Sequence, residues 1–494
     1  MKRFLAAVFM LCAALLPAQA PPSTLRVGLQ ADIRGTDPRQ VIDTLSSAVL
    51  NNVFDNLVTF DEKTLKIVPA LATSWDSDPG FRTWTYTLRE GVKFHDGTPL
   101  TAEAVVKNLL AAPNFPHEAA VDDEGRVVIT LSSPNANFNQ FLAEPYYGIV
   151  SPKMPLGGEP VSGTGPFRFV SWEKGKKVVI RRNSDYWRPA PSLETVEFVI
   201  FDGQQAVLQA LQTGAIDLAS WLVPTDIRGL KANPDLVVDS ATGNAVGFLT
   251  INTKRKPFDD PRVRRAIAAA INPIAMTQKF FSGTAGAPAS SMVPPSLFSS
   301  FSKMGFNRPE EAKALLAEAG WDASKTYTLL QIWAARPYMP DPTGIAKEIQ
   351  SALAAVGVKV KLENDPQGYF ERQTKGNFDL VLNGWIADSG DPVAFVAANL
   401  HTEAIGHNNS SQWSSKAFDQ ALDACRVLSG RPFEQKFKEV LGMVEDAVPL
   451  IPLFFGPQTA AWNKRVQGYT LHPSSQMILY PVKLAAPPPS KGRP

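Results

Sequence analysis

The sequence predicts an α/β fold divided among more than one domain, and three observations predict it. Between Pro309 and Leu382, strand-like and helix-like segments alternate, the order that gives parallel strands with crossover helices. A separate stretch from about Phe60 to Val150 carries strand patterns of the antiparallel kind beside a single helix. The chain has 494 residues and is 44% hydrophobic, enough for two or three domains that each bury a core.

The first strand is Thr24-Leu-Arg-Val-Gly-Leu29, which alternates and runs into the Asp-, Gly- and Pro-containing loop Ala31–Pro38. A helix is expected from Asp43 to Leu57, because Leu45, Val49, Val53 and Leu57 fall four apart on one face. Trp84, Tyr86 and Leu88 alternate with Thr and Arg as a half-buried strand does, and Glu90-Gly91 breaks it. Asp96-Gly97-Thr98-Pro99 is turn chemistry, and Thr101 followed by Glu103 marks a capped helix start. Another strand pair is expected around Val127–Leu131.

Further on, Gly163-Thr-Gly-Pro166 opens two strands, the second ending in Asn183-Ser-Asp-Tyr-Trp187. Phosphate binding is not expected of this Gly-x-Gly, because Pro166 follows at once and no helix opens behind it. Asp260-Pro261 caps and begins a helix with Val263, Ile267 and Ile271 inward. Its Arg262, Arg264 and Arg265 read as a solvated face balanced by acids. A helix opens at Pro309 and ends at Gly320, a strand covers Tyr327–Trp333, and a helix begins at Thr343 and stops at Gly357. Strands follow at Val358–Leu362 and Phe378–Leu382. Parallel sheets of this kind bind ligands beyond the carboxyl ends of their strands.

The N-terminus has the pattern of a secretory signal peptide over residues 1–20: Lys2-Arg3, an apolar run from Phe4 to Leu16, then Ala18-Gln-Ala20. The run is too short for a membrane span, which needs about 20 residues. Pro21 disfavours cleavage after Ala20, so the mature start is left open. Cys12 lies inside the apolar run, where it does not serve as a lipid-attachment site; a periplasmic protein that is not a lipoprotein is expected. The other cysteine, Cys425, has no partner for an internal disulfide once the signal is removed.

Removing Lys2 and Arg3 leaves 47 basic against 47 acidic residues, which argues against a nucleic-acid or anionic-membrane partner. No later apolar run is long enough to cross a bilayer; Leu450-Ile-Pro-Leu-Phe-Phe455 is short and broken by proline. The five histidines show no His-Glu-x-x-His spacing, no Gly-x-Ser-x-Gly elbow is present, and metal-site cysteine pairs are missing. No enzyme, metal or cofactor is expected.

The loop Asn383-Gly-Trp-Ile-Ala-Asp-Ser-Gly-Asp-Pro392 follows a strand and holds glycines, a flat aromatic and carboxylates, the materials of a ligand loop. The alternative is structural: Asp388 caps the helix near Pro392, and Trp385 fills core.

The whole order of the segment Trp84–Leu109 resembles the peptide-binding, family 5 solute receptors of ABC importers, as do the Gly163–Trp187 and Asn252–Asn272 passages. The resemblance extends from about Leu25 to Val482 and implies a two-lobed periplasmic-binding-protein-like α/β fold of cluster C type with a small α+β insertion domain. It implies a first lobe of residues 24–55, 160–240 and 465–484, an insertion of 56–159 and a second lobe of 241–464. Residues 485–494 read as a disordered Pro-rich tail. The connection Ala112–Arg126 is short for the family, and Asn408–Leu422 lacks cysteines that some dipeptide receptors carry.

In dipeptide-binding relatives the first Asp of the Gly-Trp-x-x-Asp-x-Gly-Asp-Pro loop, here Asp388, holds the peptide's amino end. An Arg-Pro-Tyr-x-Pro run upstream supplies an Arg for its carboxylate, here Arg336 of Arg336-Pro-Tyr-Met-Pro340. Tyr338 and Trp385 are the expected aromatic wall, and Thr36 corresponds to a stretch that lines the cleft from the first lobe. The resemblance therefore implies a monomeric receptor that closes on a small peptide and delivers it to an inner-membrane permease. The alternatives are another solute on the same scaffold, such as glutathione, haem, an opine or a nickel chelate, and, in a different class, a periplasmic hydrolase or peptide chaperone.

Overall fold

Alternating apolar residues in short segments pair here into one sheet that runs through both lobes of a two-lobed α/β molecule. The computed structural model describes residues 23–485 except 42, 62, 113–117, 225–226, 301–303, 388–389 and 473. The expected signal peptide, the tail beyond Ala485 and Asp388 lie outside the described residues.

In chain order, the strands of the large sheet are β1 (Thr24–Leu29), β2 (Phe167–Glu173), β3 (Lys177–Arg182), β4 (Thr195–Ile200), β5 (Leu218–Ser220), β6 (Leu236–Ile251), β7 (Ala287–Pro288), β8 (Thr326–Gln331), β9 (Lys359–Asn364), β10 (Leu380–Ile386) and β11 (Leu450–Asn463). Their spatial order is β9-β8-β10-β6-β11-β5-β1-β4-β3-β2, with β7 added beside β11. The expected parallel pairing is present: β8 runs parallel to both β9 and β10.

Two long strands join the lobes. β6 and β11 pair antiparallel from Leu236↔Asn463 to Thr250↔Leu450, and the register slips between Thr242 and Ala245. On one side of that slip, Ala460 and Trp462 pack into the first lobe's core with Leu25, Val27 and Phe198. On the other, Leu249, Ile451 and Leu453 pack with Leu329, Ile349 and Leu380 of the second lobe. The expected lobe boundary at 464 thus differs from the structure: β11 changes lobes near Gly456-Pro457, and its residues Ala460–Trp462 pair with β5. A continuous apolar strand carries no mark of where one core ends and the next begins.

The insertion has its own core from Leu57 to Ile149, around a four-stranded antiparallel sheet that holds Thr83–Leu88 and Val127–Thr130. Trp84 and Tyr86 point into it, and the Tyr86 hydroxyl donates to Asn139 Oδ1 at 2.8 Å. The Thr101 hydroxyl caps the helix Ala102–Ala111 by accepting from the Ala104 N–H at 3.2 Å. The expected helix from Asp43 covers only Thr44–Leu50; Leu57 serves the insertion's core instead.

The Gly163-Thr-Gly165 turn is a packing device, since a Cβ on Gly165 would stand 2.6 Å from the Val53 carbonyl carbon. Behind it, Tyr186, Trp187 and Thr164 donate to the half-buried Asp55 carboxylate at 3.1, 2.8 and 3.0 Å. That network occupies the Tyr and Trp of the Asn183–Trp187 passage in structure rather than in ligand contact.

One expectation about charge is overturned. Arg264 is buried, 5% exposed, and not part of a solvated face. It donates to the carbonyls of Phe258, Asp259, Ala447 and Val448, closing the carboxyl end of the helix Gly430–Ala447. Burial pulls its pKa down to about 10, still well above neutrality.

Candidate functional site

The parallel trio β9-β8-β10 aims its carboxyl ends at one edge of the second lobe, and each end delivers a piece of the candidate site there. After β8 come Trp333 and the Arg336–Pro340 turn; after β9 come Tyr369 and Phe370; after β10 comes Ala387.

The Arg336 turn is rigid for identifiable reasons. Arg336 and Met339 exchange backbone hydrogen bonds at 3.0 and 2.9 Å, and Pro337 and Pro340 restrict the chain on either side. Tyr338 is pressed across three central strands where each has a glycine. A Cβ on Gly247 would stand 2.5 Å from the Tyr338 carbonyl oxygen, one on Gly456 would stand 2.8 Å from its Cα, and one on Gly384 would collide with its ring. Burial pushes the Tyr338 hydroxyl above its usual pKa, with Arg336 opposing that shift.

On this mount the Arg336 guanidinium lies 5.4 Å from the centre of the Trp333 ring and donates to the Ala335 carbonyl at 3.1 Å. It forms no ion pair among the described residues. Trp333 is braced in turn by Tyr369 and Phe370, edge-on at 5.2 and 5.3 Å. The Tyr369 hydroxyl donates to the Leu382 carbonyl at 2.7 Å, tying this cluster to β10.

Asp388 and Ser389 lie outside the described residues, but both flanks are fixed. Ala387 donates its N–H to the Asn244 carbonyl at 2.9 Å and accepts from the Asn244 amide at 2.6 Å. Downstream, Asp391, not Asp388, caps the helix Pro392–Leu400 by accepting from the Val393 N–H at 2.9 Å. Asp391 thus holds the helix cap that the structural alternative gave to Asp388, while Trp385 packs against an apolar cluster, as that alternative expects.

Tyr338 and Trp385 do not form one wall. Tyr338 packs with Leu249, Leu382 and the rest of one face of the sheet, whereas Trp385 packs with Val246, Phe248 and Val393 on the other. Strand alternation requires this, because Trp385 is the neighbour of Gly384, on which Tyr338 rests. Thr36 is placed apart from both; it lines a depression with Arg34, Asp37, Trp172 and Lys174 in the first lobe.

Where the lobes meet, a cavity of about 70 Å³ is lined by Asp43, Thr44 and Ser47 of the first lobe, Glu144 and Tyr146 of the insertion, Ile386 and Ala387 of the second lobe, and Ser474–Met477. Trp221 closes it with a backbone φ of 57°, a left-handed conformation uncommon for a bulky residue. Of these residues the sequence singles out only Ile386 and Ala387, within the Asn383–Pro392 stretch; among the others Asp43 carries a signal, but one for a helix start alone.

The lobes also touch directly. Asn137 of the insertion donates to Asp391 Oδ1 at 3.0 Å, Ala136 donates to the Arg426 carbonyl at 2.7 Å, and Ser475 donates to Asn244 Oδ1 at 2.7 Å. Among the described residues no helix is long and apolar enough to cross a membrane, and no cluster of ligating side chains suits a metal ion.

Comparison with known proteins adds an independent line. The chain is 30% identical to di/tripeptide-binding protein 2 of Pseudomonas aeruginosa, over 96% of this chain and 97% of that one. It is 28% identical to haem-binding protein A of Haemophilus influenzae, over 91% and 90%. Among solved structures, it matches the ABC transporter-associated periplasmic binding protein of Helicobacter pylori, in complex with the peptide STSA, with a TM-score of 0.77. That match has 27% identity and covers 93% of this chain and 98% of the other. Residues 66–407 match the model of the bacterial extracellular solute-binding proteins, family 5. The chain belongs to that family, whose members bind solutes for ABC transporters rather than transform them.

Proposed function

We propose that this chain is an extracytoplasmic receptor that binds a small peptide, a dipeptide foremost, between its two lobes and delivers it to an ABC import permease. In this reading the chain is exported through residues 1–20, works as a monomer, and grips the ligand as a zwitterion. Arg336 takes the carboxylate and Asp388 the ammonium. The observation that carries it is Arg336: a guanidinium held on a rigid turn at the strand-end edge, without an ion pair among the described residues. A guanidinium fork matches a carboxylate in two parallel charge-assisted bonds. Asp391 takes the capping role, which supports a ligand role for Asp388.

A named relative binds di- and tripeptides and another was solved with a four-residue peptide, so ligand length belongs in the test. The haem reading draws support from the name of the Haemophilus influenzae relative.

The experiment is a thermal-shift screen of the mature protein against free dipeptides, their amino-acetylated and carboxy-amidated forms, tri- and tetrapeptides, glutathione, haem and nickel chelates. A ligand at a hundred times its Kd adds about 2.7 kcal/mol of stability. Stabilisation by free but not by blocked dipeptides is the expected result. Stabilisation by haem or a chelate alone, indifference to free termini, or appearance of hydrolysis products overturns it in favour of another solute, a chaperone or a hydrolase.

A further inference from the structure

Phe370 is, among the described residues, the most exposed large apolar side chain, at 64%, although the residue before it, Tyr369, is 2% exposed. Single exposed apolar residues are ordinary on a protein surface. This one differs in its company. Its ring stands edge-on to Trp333 at 5.3 Å and to Tyr369 at 5.4 Å, and the Trp333 ring also carries the Arg336 guanidinium, at 5.4 Å. The ends of two neighbouring parallel strands, β8 and β9, thus bring the Arg336 cation and the uncovered Phe370 ring onto the same indole, that of Trp333.

This cluster is anchored. Tyr369 is fixed to the Leu382 carbonyl and to Gln373, so the aromatic base does not depend on a ligand to hold its shape. A cation over an aromatic face has its plane oriented by the ring and keeps its outward N–H groups for an anion. Trp333 is thereby a positioning residue for Arg336. A carboxylate on Arg336 puts the side chain of the residue that bears it within reach of the same cluster, since one residue spans about 3.6 Å at most.

We infer that Trp333 and Phe370 form the subsite for the carboxyl-terminal side chain of the bound peptide and give the receptor a preference for peptides ending in an aromatic or large aliphatic residue. This rests on the receptor reading above and deepens it by naming the ligand class. Aromatic pairs contribute about 0.5–1.5 kcal/mol beyond area burial. The preference is therefore roughly two- to thirteen-fold in Kd.

The test is isothermal titration of Ala-Ala, Ala-Phe, Ala-Leu, Ala-Lys and Phe-Ala into the wild-type protein and Phe370→Ser, an exposed substitution that leaves the core untouched. The expected result is Ala-Phe and Ala-Leu tighter than Ala-Ala and Ala-Lys in the wild type, with the Ala-Phe to Ala-Ala ratio falling to near one in the variant. The Phe-Ala to Ala-Ala ratio, which reports the other end of the peptide, keeps its value. In Trp333→Leu the discrimination between free and carboxy-amidated Ala-Ala shrinks, and Trp333→Tyr restores it. Equal affinity for Ala-Phe and Ala-Ala in the wild type, or a ratio that survives Phe370→Ser, overturns the inference while Ala-Ala binding upholds the receptor reading. Failure of every dipeptide to bind overturns both.

Discussion

The ring of Tyr338 lies against the backbone of Gly384, with no room for a Cβ between the ring and the Val246 carbonyl behind it. Gly384 pairs with Gly247 on the next strand, so the turn that carries Arg336 is seated in a trough of missing side chains. Gly384→Ala is expected to lift Tyr338 and displace Arg336. Overpacking of this kind costs about 1–3 kcal/mol. The variant should melt a few degrees lower and lose ligand-induced stabilisation; full retention of the latter would show that Arg336 does not depend on this seat.

Arg336→Ala and Asp388→Ala are each expected to weaken dipeptide binding by about 2–5 kcal/mol, the range for truncating one partner of a buried charge pair. Neither should unfold the protein, since Arg336 makes no ion pair among the described residues that its loss would break. Arg336→Lys should recover little, because an ammonium cannot supply the planar fork. Titration calorimetry on the three variants decides it, and wild-type affinity in both alanine variants would remove the zwitterion site.

Much of this fold was legible because its signals are local. Thr101 and Asp260 cap the helices expected of them, and the strand Thr24–Leu29 has the predicted bounds. The long strand β11 was not legible. Nearly all of it is buried, so period-two alternation disappears, and Pro452 looks like a break. The structure accommodates Pro452 at a register slip between Gly247 and Phe248, where a missing N–H is tolerated. Arg264 misled for a related reason: two of its four carbonyl partners are 183 and 184 residues away, and all four are backbone groups that a sequence does not display. In the site, Arg336 could be singled out by motif. That Tyr338 and Trp385 face opposite ways follows from a strand register that no local pattern fixes.

Asp217 predicts a pH dependence. It joins β1 to β5 and to the end of β11, accepting from Arg26 at 3.0 and 3.1 Å and from Arg465 at 3.0 Å. Burial alone would raise its pKa, but hydrogen bonds from Arg465 and Arg26 outweigh that and hold it below the ordinary carboxylate value of 3.8. A carboxyl whose folded pKa is depressed contributes stability above its unfolded pKa and loses it as pH falls through the folded value. Asp217→Asn should therefore be less stable than wild type at pH 7, and the gap should narrow below about pH 4. Melting curves from pH 7 to pH 3 check this; a gap that stays constant would assign the loss to packing instead.

Asn244 governs the lobe junction. It sits in the slip of β6 between Thr242 and Ala245, the place where the sheet passes from one lobe to the other. Its amide donates to the Ala387 carbonyl at 2.6 Å, and its side-chain oxygen accepts from the Ser475 hydroxyl at 2.7 Å, so one buried side chain ties the end of β10 in the second lobe to the chain's return into the first. Asn244→Ala leaves both partners without that bond, a cost of about 1–3 kcal/mol. Of the two bonds, the one from Ser475 reaches across from the first lobe, so under the receptor reading its loss favours the open arrangement of the lobes. Dissociation of bound peptide should accelerate roughly ten-fold while association changes little, as is usual for variants of one interface. Stopped-flow kinetics separates the two rates. An unchanged dissociation rate beside a lowered melting temperature would make Asn244 a support of the sheet and not of closure.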